Sequence, residues 1–341
     1  MNASDFACTI FDVAALLPAR WGGMAERGPV RTFNPAILRD GDGWIMAYRV
    51  VGPDARRRLA VCRLDPSLRV VAGSPAPLSD AIRFAGDRPY PDVVHQWLAD
   101  PRLYRWGGKL FLYWNSGWHE PQNHQFLQEL EPVSLTPTGL PRELRLHGRR
   151  QPIEKNWTFF EDADGRLRCI YSVVPHRVLG FSLEGKGDIE FHEIASTAWS
   201  PEGYPPSHGG LRGGAPPVWH DGRFWSFCHT VHDGKAGFCY AVAVYCFSHE
   251  PGFPPVAAPL RPLSLPGSAS RKRSYPRLNP AVDEVLYPCG SARDGTRWLV
   301  SHGINDEYCA ISAVPDADVH ASLAPSPVQR AGLAPSTTAA V

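Results

Sequence analysis

Residues 35–50 read PAILRDGDGWIMAYRV: an apolar run, a turn built on Gly41-Asp42-Gly43, and a second apolar run. A third run, RLAVCRLD, follows at 58–65. Runs this short, rich in aromatic and β-branched residues and joined by a glycine turn, predict a small antiparallel sheet, because glycine enters the positive-φ region without a Cβ clash. The same plan returns four times. It reads PRLYRWGGKLFLYWNS at 101–116 then HQFLQELE, and TFFEDADGRLRCIYSVV at 158–174 then RVLGFSLE. It reads PPVWHDGRFWSFCHT at 216–230 then CYAVAVYCFS, and CGSARDGTRWLVSHG at 289–303 then EYCAISAV. The turns end at Gly43, Gly108, Gly165, Gly222 and Gly295, spaced 65, 57, 57 and 73 residues apart. Five copies of one supersecondary unit predict an all-β, five-bladed β-propeller, in which radial repetition protects the sheet edges. Two packed sheets would leave the repeat unexplained. The propeller is expected to be a single domain over 31–317, with 1–30 as an N-terminal capping segment and 258–280 bridging blades. Residues 318–341 are expected to be a disordered tail rich in Ala, Pro and Ser.

Composition narrows the class. A chain of 341 residues that is 43% hydrophobic can bury a large core, which excludes a disordered chain and a disulfide miniprotein. Lys plus Arg is 35 and Asp plus Glu is 34, so there is no basic excess, and no nucleic-acid partner is expected. No apolar stretch is long enough to span a membrane, so no membrane partner is expected. The N-terminal stretch lacks a basic region and is broken by Asp12 and Pro18, which does not read as a signal peptide. The eight cysteines form no C-x-x-C pair and sit mostly inside apolar runs, which predicts reduced thiols and a cytoplasmic protein. No metal is expected, since no Cys/His cluster has ligand spacing, and no organic cofactor is suggested.

Equivalent positions of a radial repeat converge at one mouth of its channel. At the start of the first strands stand Asn34, Asp100, Lys155 with Asn156, Arg212-Gly213-Gly214 and Cys289-Gly290. At the ends of the second strands stand Arg49, Asn115, Ser172, His229 and His302. A carboxylic acid among amides and cations is the chemistry of a sugar site, with the acid moving a proton and the others holding hydroxyls or an anion. Each residue also has a bland reading. Asp100 and Asn34, each before proline, can be turn formers; Arg212 can bridge blades; His229 can be a satisfied core histidine. Lys155 stands out in a chain with few lysines among many arginines, as a point charge would. Trp114, Trp118 and Trp157 can be core or sugar-stacking platforms.

Asn34-Pro35-Ala36, Asp100-Pro101-Arg102, Glu154-Lys155-Asn156-Trp157, Arg212-Gly213-Gly214-Ala215-Pro216-Pro217, Pro288-Cys289-Gly290 and Gly303-Ile304-Asn305-Asp306 occur in this order over residues 31–315. Together they resemble the β-mannoside phosphorylases and hydrolases of glycoside hydrolase family 130 and the related mannosyltransferase/phosphorylase proteins. The resemblance implies a five-bladed propeller, a mannosyl unit at the channel mouth and an inverting reaction. It implies that Asp100 is the general acid, acting through a sugar hydroxyl. It implies that Asn34, Arg49 and Asp306 hold the mannosyl ring and that His229 lies on the phosphate side. The sequence departs from the family where phosphorylases carry a His-Arg-Pro triplet: here the stretch reads IYSVVPHRV, with Arg177 displaced.

Two nucleophiles follow from these residues. Phosphate, as co-substrate, would need a cationic cradle from Lys155, Arg212 and His229, with Arg177 if its loop turns inward. Water would need a second carboxylate about 6.5–9.5 Å from Asp100, for which Glu154 and Asp306 are the candidates. Asn115 and Asn156 complete the expected substrate contacts. The expected partner is a mannoside or oligosaccharide substrate, handled by phosphorolysis or mannosyl transfer, by hydrolysis, or by a non-catalytic glycan-binding propeller.

Overall fold

The computed structural model describes residues 7–86, 88–148, 150–151, 153–267 and 272–325. The chain opens with β1 (Cys8–Ile10) and then lays down β2 (Arg31–Asp40), β3 (Gly43–Val51) and β4 (Arg57–Leu64), an antiparallel group of three. The second group is β5 (Ala99–Trp106), β6 (Lys109–Asn115), β7 (Gln125–Leu130) and β8 (Pro137–Leu146). The third is β9 (Thr158–Glu161), β10 (Leu167–Ser172), β11 (His176–Gly180) and β12 (Ile189–Thr197), and β12 also pairs parallel with β8. In the fourth, β13 (Leu211–Arg212) and β14 (Val218–His220) both pair with β15 (Arg223–Gly234), followed by β16 (Gly237–Phe247) and β17 (Pro255–Pro259). The fifth is β18 (Val282–Asp294), β19 (Arg297–Ile304) and β20 (Tyr308–Pro315), closed on its outer side by β1. A short helix, Asp316–His320, and β21 (Leu323–Pro325) follow, and β21 pairs with β17.

The turns fall where the glycines predicted them, with one refinement. In the first turn the positive φ of 59° belongs to Gly41, while Gly43 is needed because a Cβ there would sit 2.4 Å from the Leu64 carbonyl oxygen. Two boundaries differ from expectation. Phe11, Leu16, Trp21 and Met24 of the N-terminal segment pack against the first and fifth groups, and the segment also supplies Cys8–Ile10 as a strand of the fifth group. The folded body runs past 317, since 318–325 finish the last helix and add β21; the rest of the expected tail lies outside the described residues.

Alternation along each strand buries both faces, because every group packs against two neighbours. Ile37, Met46 and Cys62 of the first group meet Leu299 and Ile311 of the fifth. Ala36, Ala47 and Val61 meet Leu103, Leu112 and Trp114 of the second. Tyr104 and Tyr113 meet Phe159 and Cys169 of the third. Phe160 and Ile170 meet Phe224 and Tyr245 of the fourth, and Trp225 and Val244 meet Trp298 and Val300 of the fifth. These five interfaces form a cycle. Trp114 and Trp157 are wholly buried in them and so are core, not platforms. All eight cysteines are free thiols. Among the described residues no helix is long and apolar enough to cross a membrane.

Candidate active site

The first strands of three groups carry the same irregularity. Pairing slips between Phe33 and Ala36 in β2, between Ala99 and Arg102 in β5 and between Pro288 and Gly290 in β18. Pro35 and Pro101 sit inside the first two slips, where a proline has no N–H to lose, and Pro288 borders the third, which holds Cys289; such bulges re-aim the residue beside them. Asn34 and Asp100 occupy the slips in β2 and β5, with φ of 51° and 53°. Asn156 and Asp306 share this left-handed conformation, at 65° and 56°. Asn and Asp tolerate it best among residues with a Cβ, and strained backbone of this kind gathers at functional sites.

These four residues line one cavity of about 510 Å³, together with Arg49, Asn115, Lys155, Arg212 and His229. Nine of the eleven residues given catalytic, sugar-binding or phosphate-binding roles from the sequence therefore meet. Asp100 Oδ1 accepts from Asn34 Nδ2 at 2.8 Å and from Arg49 Nη1 at 3.0 Å. Burial pushes its carboxyl up, but Arg49, Arg102, Asn34 and Lys155 outweigh that and hold it below the usual carboxylate range. Asp306 shifts the other way: burial raises it, Arg49 opposes, and the nearby Asp100 raises it again. Burial and the neighbouring Arg212 and Arg49 lower Lys155, with Asp100 opposing them. Lys155 is exposed to the open cavity but has protein on most sides, so both its access and its depressed value hold. Neither Lys155 nor Arg212 has an ion-pair partner among the described residues. Four cavity residues carry buried polar atoms without a partner there: Asn34 Oδ1, Arg49 Nε, Arg57 Nε and Asn115 Nδ2. Buried polar atoms are normally paired, so this concentration marks a surface built to receive hydrogen bonds. Gly303 permits it, because a Cβ there would sit 2.0 Å from Asn34 Oδ1.

Two expected residues stand elsewhere. Glu154 is buried outside the cavity wall, its Oε1 accepting from the Gln151 N–H at 2.7 Å and the Tyr171 hydroxyl at 3.1 Å. Its backbone is pinned on both sides by the Asn123 amide. Arg177 does not turn inward: its Nε donates to Glu193 Oε2 at 2.6 Å, and its guanidinium lies 4.4 Å from the Tyr171 ring centre. The convergence expected of Ser172, Cys289, Gly290 and His302 also fails, since none lines the cavity. Ser172 Oγ is spent on the Pro175 carbonyl, Cys289 and His302 are fully buried, and a Cβ at Gly290 would meet the Ile37 nitrogen.

Other lining residues were not foreseen. Arg57 enters from the start of β4, stacked 4.6 Å from the ring centre of Trp97, which also lines the cavity. Burial, with repulsion from Arg49, lowers Arg57 to about 10. The third strand of the first group begins at the same mouth where the second ends, with Val51 opposite Arg57, and that was the available signal. Trp118, by contrast, was read from the sequence as core or a stacking platform; it is 60% exposed and stands at the rim, so it is not core. Leu278, Asn279, Pro280 and Ala281 form another wall. Their strap is anchored by Arg273 Nη1 on the Asn305 carbonyl (2.7 Å), the Ser274 N–H on Glu307 Oε2 (2.8 Å) and Arg31 Nη2 on the Pro276 carbonyl (3.0 Å).

No family model and no curated protein matches the sequence. Solved structures do match. A β-1,2-mannobiose phosphorylase from Listeria innocua is 11% identical with a TM-score of 0.60, over 93% of this chain and 99% of that one. A GDP-Man-dependent mannosyltransferase from Leishmania mexicana is 11% identical with a TM-score of 0.56, over 84% and 86%. A glycosyl hydrolase from Bacteroides ovatus is 12% identical with a TM-score of 0.56, over 87% and 86%. Likeness at this identity concerns the fold. It is the fold of the proteins that the sequence motifs resemble, a set that includes glycoside hydrolases of family 130 that target β-1,2-mannosidic linkages in Candida mannan.

Proposed function

We propose that this protein is a carbohydrate-active enzyme on a five-bladed β-propeller, the five antiparallel groups being the blades, and that it moves the mannosyl group of a β-mannoside, with inversion, to or from phosphate. The observation that carries this reading is the charge layout of one cavity. An ionised carboxylate, Asp100, is gripped by Asn34 and Arg49, and two cations without ion-pair partners, Lys155 and Arg212, share the space.

In phosphorolysis a phosphate oxygen bonds to C1 of the mannosyl unit on the face opposite the leaving oxygen. The C1–O bond breaks, and the leaving oxygen takes a proton that originates on Asp100 and passes through a sugar hydroxyl. The products are mannose 1-phosphate and the freed acceptor. Asp100 is held ionised by Arg49, Arg102, Asn34 and Lys155, as transfer to an acceptor hydroxyl requires, because there it receives a proton. A phosphate dianion among Lys155 and Arg212 offsets their field and raises the Asp100 pKa, favouring the protonated acid needed for cleavage. Asn34, Arg49, Asn115, Asn156 and Asp306 hold the sugar.

Hydrolysis has weaker support. Glu154 is turned away, and among the described residues Asp306 is the other carboxylate of the cavity. A water-activating base must be ionised, whereas burial of Asp306 favours its protonated form. The deciding experiment follows products from β-mannosides with and without phosphate. Mannose 1-phosphate formed at a rate that saturates with phosphate supports the proposal. Free mannose at the same rate without phosphate replaces it with hydrolysis.

A further inference from the structure

His229 was expected to add positive charge to the phosphate side, and its surroundings point to a different role. It lies on β15 directly opposite Arg212 of β13. Its Nδ1 stands 2.9 Å from the Gly213 carbonyl oxygen. A carbonyl has no hydrogen to give, so Nδ1 carries the proton and donates it. The ring is 2% exposed, stacked on Tyr240 (centroids 5.7 Å apart, 13° between planes) and edge-on to Tyr287 (4.8 Å). It therefore cannot turn over. Gly213 is equally fixed, since a Cβ there would lie 2.0 Å from the Asn156 carbonyl oxygen. The other ring nitrogen, Nε2, has no partner among the described residues, and the ring lines the cavity. Burial first, then the charges of Arg212 and Lys155, hold the imidazole down at about 3, so Nε2 takes up no proton near neutral pH. A fixed lone pair thus sits among the cations that draw an anion in.

We propose that His229 makes the anion subsite selective for a tetrahedral oxyanion that still carries a hydroxyl: hydrogen phosphate, or hydrogen arsenate, over sulfate. The cations attract all three. Hydrogen phosphate turns its P–OH toward Nε2 and donates; sulfate has only lone pairs to present and leaves a buried acceptor facing a negative oxygen. The inference rests on the phosphate reading of the cavity and adds which protonation state of which anion it takes.

The test is isothermal titration of the wild-type protein with phosphate, arsenate and sulfate, at slightly alkaline pH and constant ionic strength. Phosphate and arsenate are expected to bind at least roughly tenfold more tightly than sulfate, the scale of one charged hydrogen bond. His229→Gln, whose amide can turn N–H groups toward the anion, should bring sulfate within about threefold of phosphate. Equal binding of sulfate and phosphate by the wild type overturns the inference, as does full selectivity in a folded His229→Gln. If none of the three anions binds, the phosphate reading beneath it fails instead. Should His229→Gln not fold, the wild-type ratio alone decides.

Discussion

Arg102 Nη2 donates to the hydroxyl of Tyr287 at 3.0 Å, with both side chains buried, joining the second strand group to the fifth. The same guanidinium donates from Nε to the Gly214 carbonyl at 2.6 Å and from Nη1 to the Asp100 carbonyl at 3.1 Å. The Tyr287 hydroxyl in turn donates to Asn156 Oδ1 at 2.7 Å. The backbone of the bulge that aims Asp100 is thus held by a residue wholly outside the reacting space. Arg102→Met should orphan the buried Gly214 carbonyl and the partly buried Asp100 carbonyl, at about 1–3 kcal/mol for each, while the Tyr287 hydroxyl keeps Asn156 as its acceptor. The expected readout is a lower urea midpoint with an unchanged denaturant slope.

Asp100→Asn should fold normally and lose about 10²–10⁴ of its turnover, since an amide neither gives nor receives the proton in this step. Steady-state rates with a β-mannoside and phosphate, beside an unchanged near-ultraviolet circular dichroism spectrum, check it. Turnover close to wild type would reduce Asp100 to a group that positions Arg49.

Lys155→Ala should raise the apparent KM for phosphate by roughly 10–100-fold, the loss expected for one charge-assisted contact. Arg177→Ala should leave it within about twofold, because that guanidinium is engaged by Glu193 and does not line the cavity. The paired measurement separates the residue that shares the site from the one that a family pattern would have nominated.

Stability should fall on mild acidification. Burial holds three histidines neutral in the fold: His176 and His229 at about 3, His302 at about 4. In the unfolded chain each titrates near its ordinary value of about 6.5. Below that value the unfolded state binds more protons, so stability drops as pH falls toward the folded values, by up to about 1.4 kcal/mol per pH unit for each histidine. Urea midpoints at intervals from neutral pH downward measure this. A flat profile between about 6.5 and 5 would mean that the three rings charge within the fold.

The strand plan was readable because each hairpin is fixed locally by its glycine turn. Asn34 and Asp100 were readable because each precedes a proline at the same point of the repeat, and the proline marks the bulge. Glu154 misled because 153–157 is irregular chain, where alternation no longer says which side chain faces inward: Lys155 and Asn156 face the cavity and Glu154 does not. Arg177 misled for a related reason, since β10 slips register between Ile170 and Ser172 just before it. Trp97 and Leu278–Ala281 belong to connections whose path over the cavity is set by anchors far along the chain, such as Glu307 and Arg31, and local sequence does not encode it.

The pairing of β1 with β20 joins Ile10 to Ala310. At synthesis rates of roughly 5–20 residues per second, the first of these leaves the ribosome about 15–60 s before the second. Throughout that interval the outer edge strand of the last sheet exists, but its docking site does not. The nascent chain must therefore keep Cys8–Ile10 away from its β20 partner while four strand groups form behind it, and the cavity, whose wall includes Asp306, is completed only once that residue has emerged.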